Sequence, residues 1–272
     1  MLYLVSTPIG NLSDISFRAI ETLKNSDLIL CEDTRHSIKL LHHYEIKKPL
    51  SSYHKHNEKE KVVELVNLLK EGKIISLISD AGTPLISDPG DLLVKACITH
   101  SLPVIAIPGP CALIHALVCS GFSSNRFQFV GFLPKKEKEL TNLLHELTEY
   151  PGVSIAYESP ERIERTVLIL HRIKPEAPLC ISRELTKKFE AHLRGTPEEL
   201  SHVLAQNPLK GECVILIQGR KPEMDFSHLT LEQHVEQVKT TYNISKTEAI
   251  KTVAALRNIN KRDLYRSFHN IS

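Results

Sequence analysis

The 272-residue sequence lacks most of the signatures that announce a function. No apolar run reaches the roughly 20 residues needed to cross a bilayer, which excludes a helical membrane span. The chain opens on Leu2-Tyr3-Leu4-Val5 with no basic region leading into a long apolar stretch, so no secretory signal is expected and the location is read as cytoplasmic. Six cysteines (Cys31, Cys97, Cys111, Cys119, Cys180 and Cys213) form no CxxC pair, and most lie in apolar stretches. They read as reduced core residues acting as small hydrophobes, neither bridges nor zinc ligands. Fourteen histidines include no HExxH and no paired Cys/His spacing, so no metal is expected. GxGxxG and GK[ST] are both missing, which removes the standard dinucleotide fingerprint and P-loop ATP hydrolysis. There is no internal repeat, no low-complexity tract and no aromatic-rich surface on which exposed bases could stack.

A one-signed charge excess is also missing. The formal net charge is +2, so a uniformly basic nucleic-acid coat is absent. The small excess is uneven: seven basic and four acidic side chains lie from Phe226 onward, leaving 27 against 28 in residues 1–225. With 42% hydrophobic and 24% charged residues, the chain is neither disordered nor fibrous, and it is long enough for more than one domain.

Short β-rich runs alternate with helical periods over the first two hundred residues, the pattern of α/β layers around a largely parallel sheet. The clearest early strands are 2–5, 28–30, 74–78 and 104–107. Between them, Val62, Leu65, Val66 and Leu69 recur at helical spacing over 58–70, with Gly72 just beyond as a C-cap. A second group of strands, 153–157, 179–182 and 213–218, follows a bend at Gly131-Phe132-Leu133-Pro134, with helices over 138–148 and 162–172. A boundary near 123–125 divides the pattern into an N-terminal α/β domain (1–124) and a second α/β domain (125–219). Residues 219–223 read as a linker, mixing charge with Gly and Pro directly after a strand.

No strand signal follows. Residues 226–272 carry helical periods at 231–238 and at Ala249, Ile250, Val253 and Ala254, with Ser245 and Glu248 in capping-box spacing. A turn at Asn258-Ile259-Asn260 leads into 261–268. Two short helices joined by a tight turn fit a helix-turn-helix, and they fit equally a small packing appendage.

In open α/β sheets ligands settle beyond the carboxyl ends of strands, which directs attention to three loops. After the first strand come residues 6–16, where Gly10 permits close backbone approach and Ser13 is placed to cap the next helix. After 74–78 come residues 79–90; ten of these twelve are small, polar, Gly or Pro, as expected where backbone must approach a ligand. After 104–107, Pro108-Gly109-Pro110-Cys111-Ala112 opens a helix whose free N–H groups favour a carboxylate or other anion. Each loop alone is weak; the three together are the stronger signal. Charged groups stand at strand ends too, in Glu32-Asp33-Thr34-Arg35 and in Arg183-Glu184-Leu185-Thr186-Lys187, placed for a polar cleft or for surface ion pairs. His54-Lys55-His56-Asn57-Glu58 fits either a solvated loop or an RNA-facing rim.

Several of these motifs occur in the order found in a known family. Residues 4–12, Glu32-Asp33-Thr34-Arg35, His56-Asn57-Glu58, residues 79–90, Gly131-Phe132-Leu133-Pro134, Tyr157-Glu158-Ser159-Pro160-Glu161-Arg162-Ile163 and Gly211-Glu212 resemble the signatures of the ribosomal RNA small-subunit methyltransferase I family. The likeness runs over residues 1 to about 219, and the last segment resembles that family's helix-turn-helix. It implies a tetrapyrrole methylase-like, class III methyltransferase fold: two α/β domains with a cleft for S-adenosylmethionine (SAM) between them, a small C-terminal helical module, and commonly a dimer. The implied activity is 2′-O-methylation of a cytidine in the decoding region of 16S rRNA within the 30S subunit. Pro8-Ile9-Gly10-Asn11 replaces the Gly-Pro-Gly-Asp type loop of the tetrapyrrole enzymes, which favours the RNA branch. The chain departs from the pattern at Cys31 (usually Ala), Leu85 (commonly Gly) and Cys111 (usually Ser).

On this resemblance Pro8, Ile9, Gly10, Asp80, Ala81, Gly82, Thr83, Ser87, Cys111, Ala112 and Tyr157 are the expected SAM-binding residues. Candidates for the group that deprotonates the ribose hydroxyl are Lys187, Glu184, Glu32 and Asp33, and no spacing singles one out. Arg35, His56, Lys246, Lys251, Arg257, Lys261, Arg262 and Arg266 are the expected RNA contacts. The rival readings are a methylase of the same fold acting on a tetrapyrrole or a protein, and a non-catalytic RNA-binding factor.

Overall fold

The computed structural model describes residues 1–220, 229–257 and 259–269, without the side chains of residues 263, 266, 267 and 269. Residues 1–220 form one compact unit, and the described residues from 229 onward belong to a second.

The first sheet contains β1 (Leu2–Val5), β2 (Leu28–Cys31), β3 (Leu50–Ser52), β4 (Ile75–Ile78) and β5 (Val104–Ile107), in the order β3-β2-β4-β1-β5. All four pairings are parallel. Parallel neighbours need a crossover, supplied here by α1 (Phe17–Asn25), α2 (Thr34–His43), α3 (Glu58–Lys70) and α4 (Asp91–Thr99). Helices on both faces bury both sides of the sheet, which is why β4 reads as the uninterrupted Ile-Ser-Leu-Ile with every residue buried. Leu2, Leu30, Ile75 and Leu77 pack on one face against Leu65, Leu69 and Leu93. Val5, Ile29, Cys31 and Ile78 pack on the other against Ala19, Leu23 and Leu41. The cap of α1 is Ser16, whose hydroxyl accepts from Ala19 N–H, and not Ser13, which lies inside a 3-10 turn (Leu12–Asp14) capped by Asn11.

Helix α5 (Ala112–Ser120) leads to the second sheet, of β6 (Phe127–Phe132), β7 (Val153–Glu158), β8 (Leu179–Arg183), β9 (Ala191–Gly195) and β10 (Cys213–Gln218), ordered β6-β7-β10-β8-β9. Its strands all follow residue 125. Only β6–β7 is parallel; the other three pairings are antiparallel, so the expectation of largely parallel sheet fails here. The reason is connection length: seven residues join β8 to β9, too few for a crossover helix, so the two form a hairpin. Alternation along β10 sends Cys213, Ile215 and Ile217 to a core with α6 (Glu137–Glu149), α7 (Pro160–Ile173) and α8 (Pro197–Gln206). Val214 and Leu216 face Leu113, Ala116 and Leu117 of α5 instead. Helix α5 thus follows the first sheet in the chain and packs on the second. The Gly131-Phe132-Leu133-Pro134 bend begins within β6, where the register shifts between Phe129 and Phe132.

In the second unit, α9 (Leu231–Tyr242), α10 (Lys246–Leu256) and α11 (Lys261–His269) enclose Val235, Val238, Ile250, Val253 and Leu264. The expected capping box of Ser245 and Glu248 is present. Of the linker expected over 219–223, Gly219 and Arg220 are hydrogen-bonded to Gly152 and Thr148; the remainder, like Asn258 of the expected turn, lies outside the described residues.

Candidate active site

Strands β1 and β4 lie side by side in the first sheet, and the chain leaves β1 towards one edge and β4 towards the other. The crevice at their carboxyl ends is therefore a topological switch point. The loops that leave these strands are stitched together. Thr7 N–H donates to Gly82 O (2.9 Å) and Gly82 N–H returns to Thr7 O (3.1 Å). The Ser6 and Thr83 hydroxyls lie 3.1 Å apart, and the Thr83 hydroxyl donates to Pro110 O of the third loop (3.0 Å). Gly109 passes so near the first loop that a Cβ there would stand 2.8 Å from Ser6 Cβ. Three loops from separate strands thus meet at one place.

They frame a cavity of about 490 Å³, within the size range of small-molecule sites. Ile9, Asp80, Ala81, Gly82, Thr83, Ser87, Cys111, Ala112 and Tyr157, all expected to bind the cofactor, line it. Pro8 and Gly10 do not. Glu32 lines it as well, at the carboxyl end of β2. The second sheet closes the other side with Phe132, Tyr157 and Val214, and the loops beside it add Leu185 and Glu212. Helix α5 starts at the cavity with Cys111 as N-cap and no capping bond from that side chain; its Leu113 N–H meets the Tyr157 phenol and its Ile114 N–H the Cys111 carbonyl. Tyr157 stands edge-on to Phe129 (4.9 Å) and Phe132 (5.4 Å), and burial pushes its phenol above the ordinary value. Phe132 remains 62% exposed.

The four candidate proton acceptors part company. The Lys187 ammonium donates to Glu184 Oε1 (2.9 Å) and Glu212 Oε2 (2.8 Å). Partial burial pulls its pKa down, but the bonds to Glu184 and Glu212 outweigh that and leave it above the ordinary value. Glu184 is held below its ordinary value by that same bond from Lys187 and by the Glu212 N–H. Asp33 caps α2 and pairs with Arg35 (2.7 Å), which lowers it to about 2. Its own N–H donates to Asp80 Oδ1 (3.2 Å). Of the four, only Glu32 reaches the cavity.

Sequence reasoning missed Asp88, although it stands in the loop singled out for its composition, and missed Leu185 and Val214, which reach the cavity through long-range packing. Burial first, then the Glu32 charge, raises Asp88 to about 6. Behind the cavity wall the carboxylate of Glu158 is wholly buried on Arg162, and it also accepts from Ser159 N–H (2.8 Å) and the Thr166 hydroxyl (3.2 Å).

The expected RNA contacts are spread over both units. Arg35 and His56 are exposed on the first. On the second, Lys246, Lys251, Lys261 and Arg262 are exposed, and Lys246 lies over the Phe268 ring (5.1 Å). Arg257 turns inward, donating to His234 Nδ1 (3.1 Å) and Leu229 O (2.8 Å). The Arg266 side chain lies outside the described residues. No helix among the described residues is long and apolar enough to cross a membrane.

Residues 1–201 match the family described as Tetrapyrrole (Corrin/Porphyrin) Methylases. The fold agrees with the solved uroporphyrin-III C-methyltransferase of Thermus thermophilus, crystallised with S-adenyl homocysteine: TM-score 0.55 at 16% identity, over 81% of this chain and 97% of that one. The architecture and its cavity therefore define a methylase of this class. Among relatives, the ribosomal RNA small subunit methyltransferase I of Halalkalibacterium halodurans is 44% identical over 98% of this chain and 94% of its own length. The protein of the same name from Bacillus subtilis is 41% identical over 99% and 94%. The chain belongs to the ribosomal RNA small subunit methyltransferase I family.

Proposed function

We propose that the protein transfers a methyl group from SAM to the 2′-hydroxyl of a cytidine in the decoding region of 16S rRNA, acting on the 30S subunit in the cytoplasm as a homodimer. One observation carries this reading: three loops meet at a single cavity in a chain that is 44% identical, over nearly its whole length, to a methyltransferase named for small-subunit ribosomal RNA.

The lining fits SAM chemically. Ile9, Ile86, Leu185 and Val214 offer apolar wall to the adenine, and the positive end of the α5 dipole suits the carboxylate of the methionine end. The Asp80 carboxylate suits a cationic ligand. When bound, SAM supplies an electrophilic methyl group on a sulfonium. The protein's own part is then mainly to hold a ribose oxygen in line with it, and such positioning is worth about 7–11 kcal/mol. The basic side chains of the helical unit supply phosphate contacts on this reading.

The test is incubation with methyl-labelled SAM and, in parallel, 30S subunits, naked 16S rRNA, a porphyrinogen and ribosome-free protein extract. Label in 16S rRNA from 30S subunits, at one cytidine whose 3′ linkage resists alkaline cleavage, is the expected result. Label on a base, on protein or on the porphyrinogen would replace this reading, and no transfer at all would leave a binding factor.

A further inference from the structure

Five acidic residues border the cavity: Glu32, Asp80, Asp88, Glu158 and Glu212. Three have carboxylates already engaged. Asp80 accepts the Asp33 N–H, Glu212 the Lys187 ammonium, and Glu158 is buried on Arg162, Ser159 and Thr166. Among the described residues, Glu32 and Asp88 have no ion pair, and they lie close enough to repel one another. Burial of the Asp88 carboxyl, with the Glu32 charge beside it, favours the protonated form of Asp88.

Around Asp88, Glu32 and Asp80 bring negative charge, Lys55 brings opposing positive charge, Ser79 offers a hydroxyl, and the Tyr157 phenol stands across the cavity. The alternatives outside the pair are poorly suited to accept a proton at neutral pH. Lys187 is already fully protonated, and Glu184 and Asp33 are held as weak bases by their partners.

We propose that Asp88, coupled to Glu32, accepts the proton of the acceptor hydroxyl during methyl transfer. The inference rests on the ribose-methylation reading above. In the step, the ribose O–H bond breaks as an O–H bond forms on the Asp88 carboxylate. The ribose oxygen keeps the electron pair for its new bond to the methyl carbon, and the donor's sulfur keeps the pair of the bond it loses. Asp88 then returns its proton to water. A carboxylate that titrates near 6 is mostly ionised at neutral pH and is a stronger base than an ordinary one, the compromise that general-base catalysis favours.

The experiment uses the full chain with Asp88→Asn and Glu32→Gln and three readouts: single-turnover methylation of 30S subunits against pH, SAM binding by calorimetry, and titration of the Asp88 carboxyl by carbon NMR in the SAM-free protein. Asp88→Asn is expected to slow the single turnover by about 10²–10⁴-fold with SAM affinity unchanged. Glu32→Gln is expected to lower the Asp88 midpoint and to move the acid limb of the rate profile with it. A rate for Asp88→Asn within about threefold of wild type, well below the 10²-fold typical of a lost general base, overturns the proposal. So does an Asp88 midpoint near 3.8 that ignores Glu32. Should the wild-type protein leave 30S subunits unmethylated, the substrate reading falls instead, and the titration still decides whether Asp88 and Glu32 act as a pair.

Discussion

The side chain of Lys187 lies across Gly10 so closely that a Cβ at Gly10 would stand 2.5 Å from its Cγ and 2.8 Å from its Cε. The glycine that leaves room for a close approach in the first loop admits this lysine, which is tied at its far end to Glu184 and Glu212. Since Glu212 borders the cavity, the contact links the first loop to the second sheet across the site. Gly10→Ala is expected to dislodge Lys187 and slow methylation, and Lys187→Met to do the same. Because each removes one contact, the double variant should fall short of the summed effects by a coupling of about 0.5–3 kcal/mol. Single-turnover rates for the four proteins test this, and strict additivity would dismiss the link.

Arg162 faces a carboxylate that has no access to water, since the Glu158 side chain is fully buried while Arg162 is 23% exposed. Arg162 also donates to Leu133 O, at the bend that follows Phe132. Removing one partner of a buried pair leaves an uncompensated charge, so Arg162→Met is expected to cost about 3–5 kcal/mol in urea unfolding. Arg162→Met combined with Glu158→Gln should recover a good part of that loss, because the neutral amide needs no counter-ion. A double variant no better than the single would show that the pair acts through packing alone.

These contacts mark how far the sequence could be read. Strand β10 was legible because its middle position in the sheet buries both faces, giving the unbroken Cys-Val-Ile-Leu-Ile run. Strand β9 lies at an edge and reads Ala-His-Leu-Arg-Gly, too short of apolar residues to stand out. The loop over 79–90 announced itself by its small residues, and within it Leu85 and Ser87 adopt φ near 72° and 71°, conformations glycine takes more easily. Leu85, the departure from the family pattern, also fills the space a Cβ on Gly90 would need, 2.7 Å from its Cδ1. What could not be read is partnership across long separations. Nothing local in Gly10, Lys187 and Glu212 says that they touch, or that Asp88 and Glu32 share a cavity.

Phe132 lines the cavity yet keeps 62% of its surface exposed, turned out by the register shift in β6 and steadied at its edge by Tyr157. The sequence showed no aromatic stacking surface; a single ring beside the site suffices for one extruded base. Stacking of that kind is worth about 1–3 kcal/mol. Phe132→Ala is expected to raise the KM for 30S subunits accordingly with SAM affinity unchanged, Phe132→Tyr to behave as wild type, and Phe132→Leu not to rescue. Full activity with Leu would reduce the ring to an apolar filler, and a changed sedimentation coefficient would place it between two copies of the chain.

The helical unit carries exposed Lys251, Lys261 and Arg262. If these meet phosphates, replacing all three by Ser should weaken 30S binding and flatten the dependence of log affinity on log salt by about 2–3. Calorimetric binding of SAM should be unaffected. An unaltered salt slope would assign the unit to packing.

Asp88 offers a test that needs neither substrate nor cofactor. Its folded-state value of about 6 exceeds the ordinary 3.8, so between those two pH values the folded protein binds more protons than the unfolded chain. Stability from this group is therefore complete below about 3.8 and is lost as pH rises through about 6. Asp88→Asn removes the titration, so the variant should gain on wild type across that window and stay ahead above it. Allowing for solvent screening of a group only partly buried, the gain is on the order of 1–2 kcal/mol. Urea unfolding at pH 4 and pH 8 reads it directly, and general pH effects cancel in the difference. A variant stabilised at neutral pH and stalled in methyl transfer is the pattern of a charge kept for chemistry at the expense of the fold. A difference that does not vary with pH would mean that Asp88 is not the group that titrates.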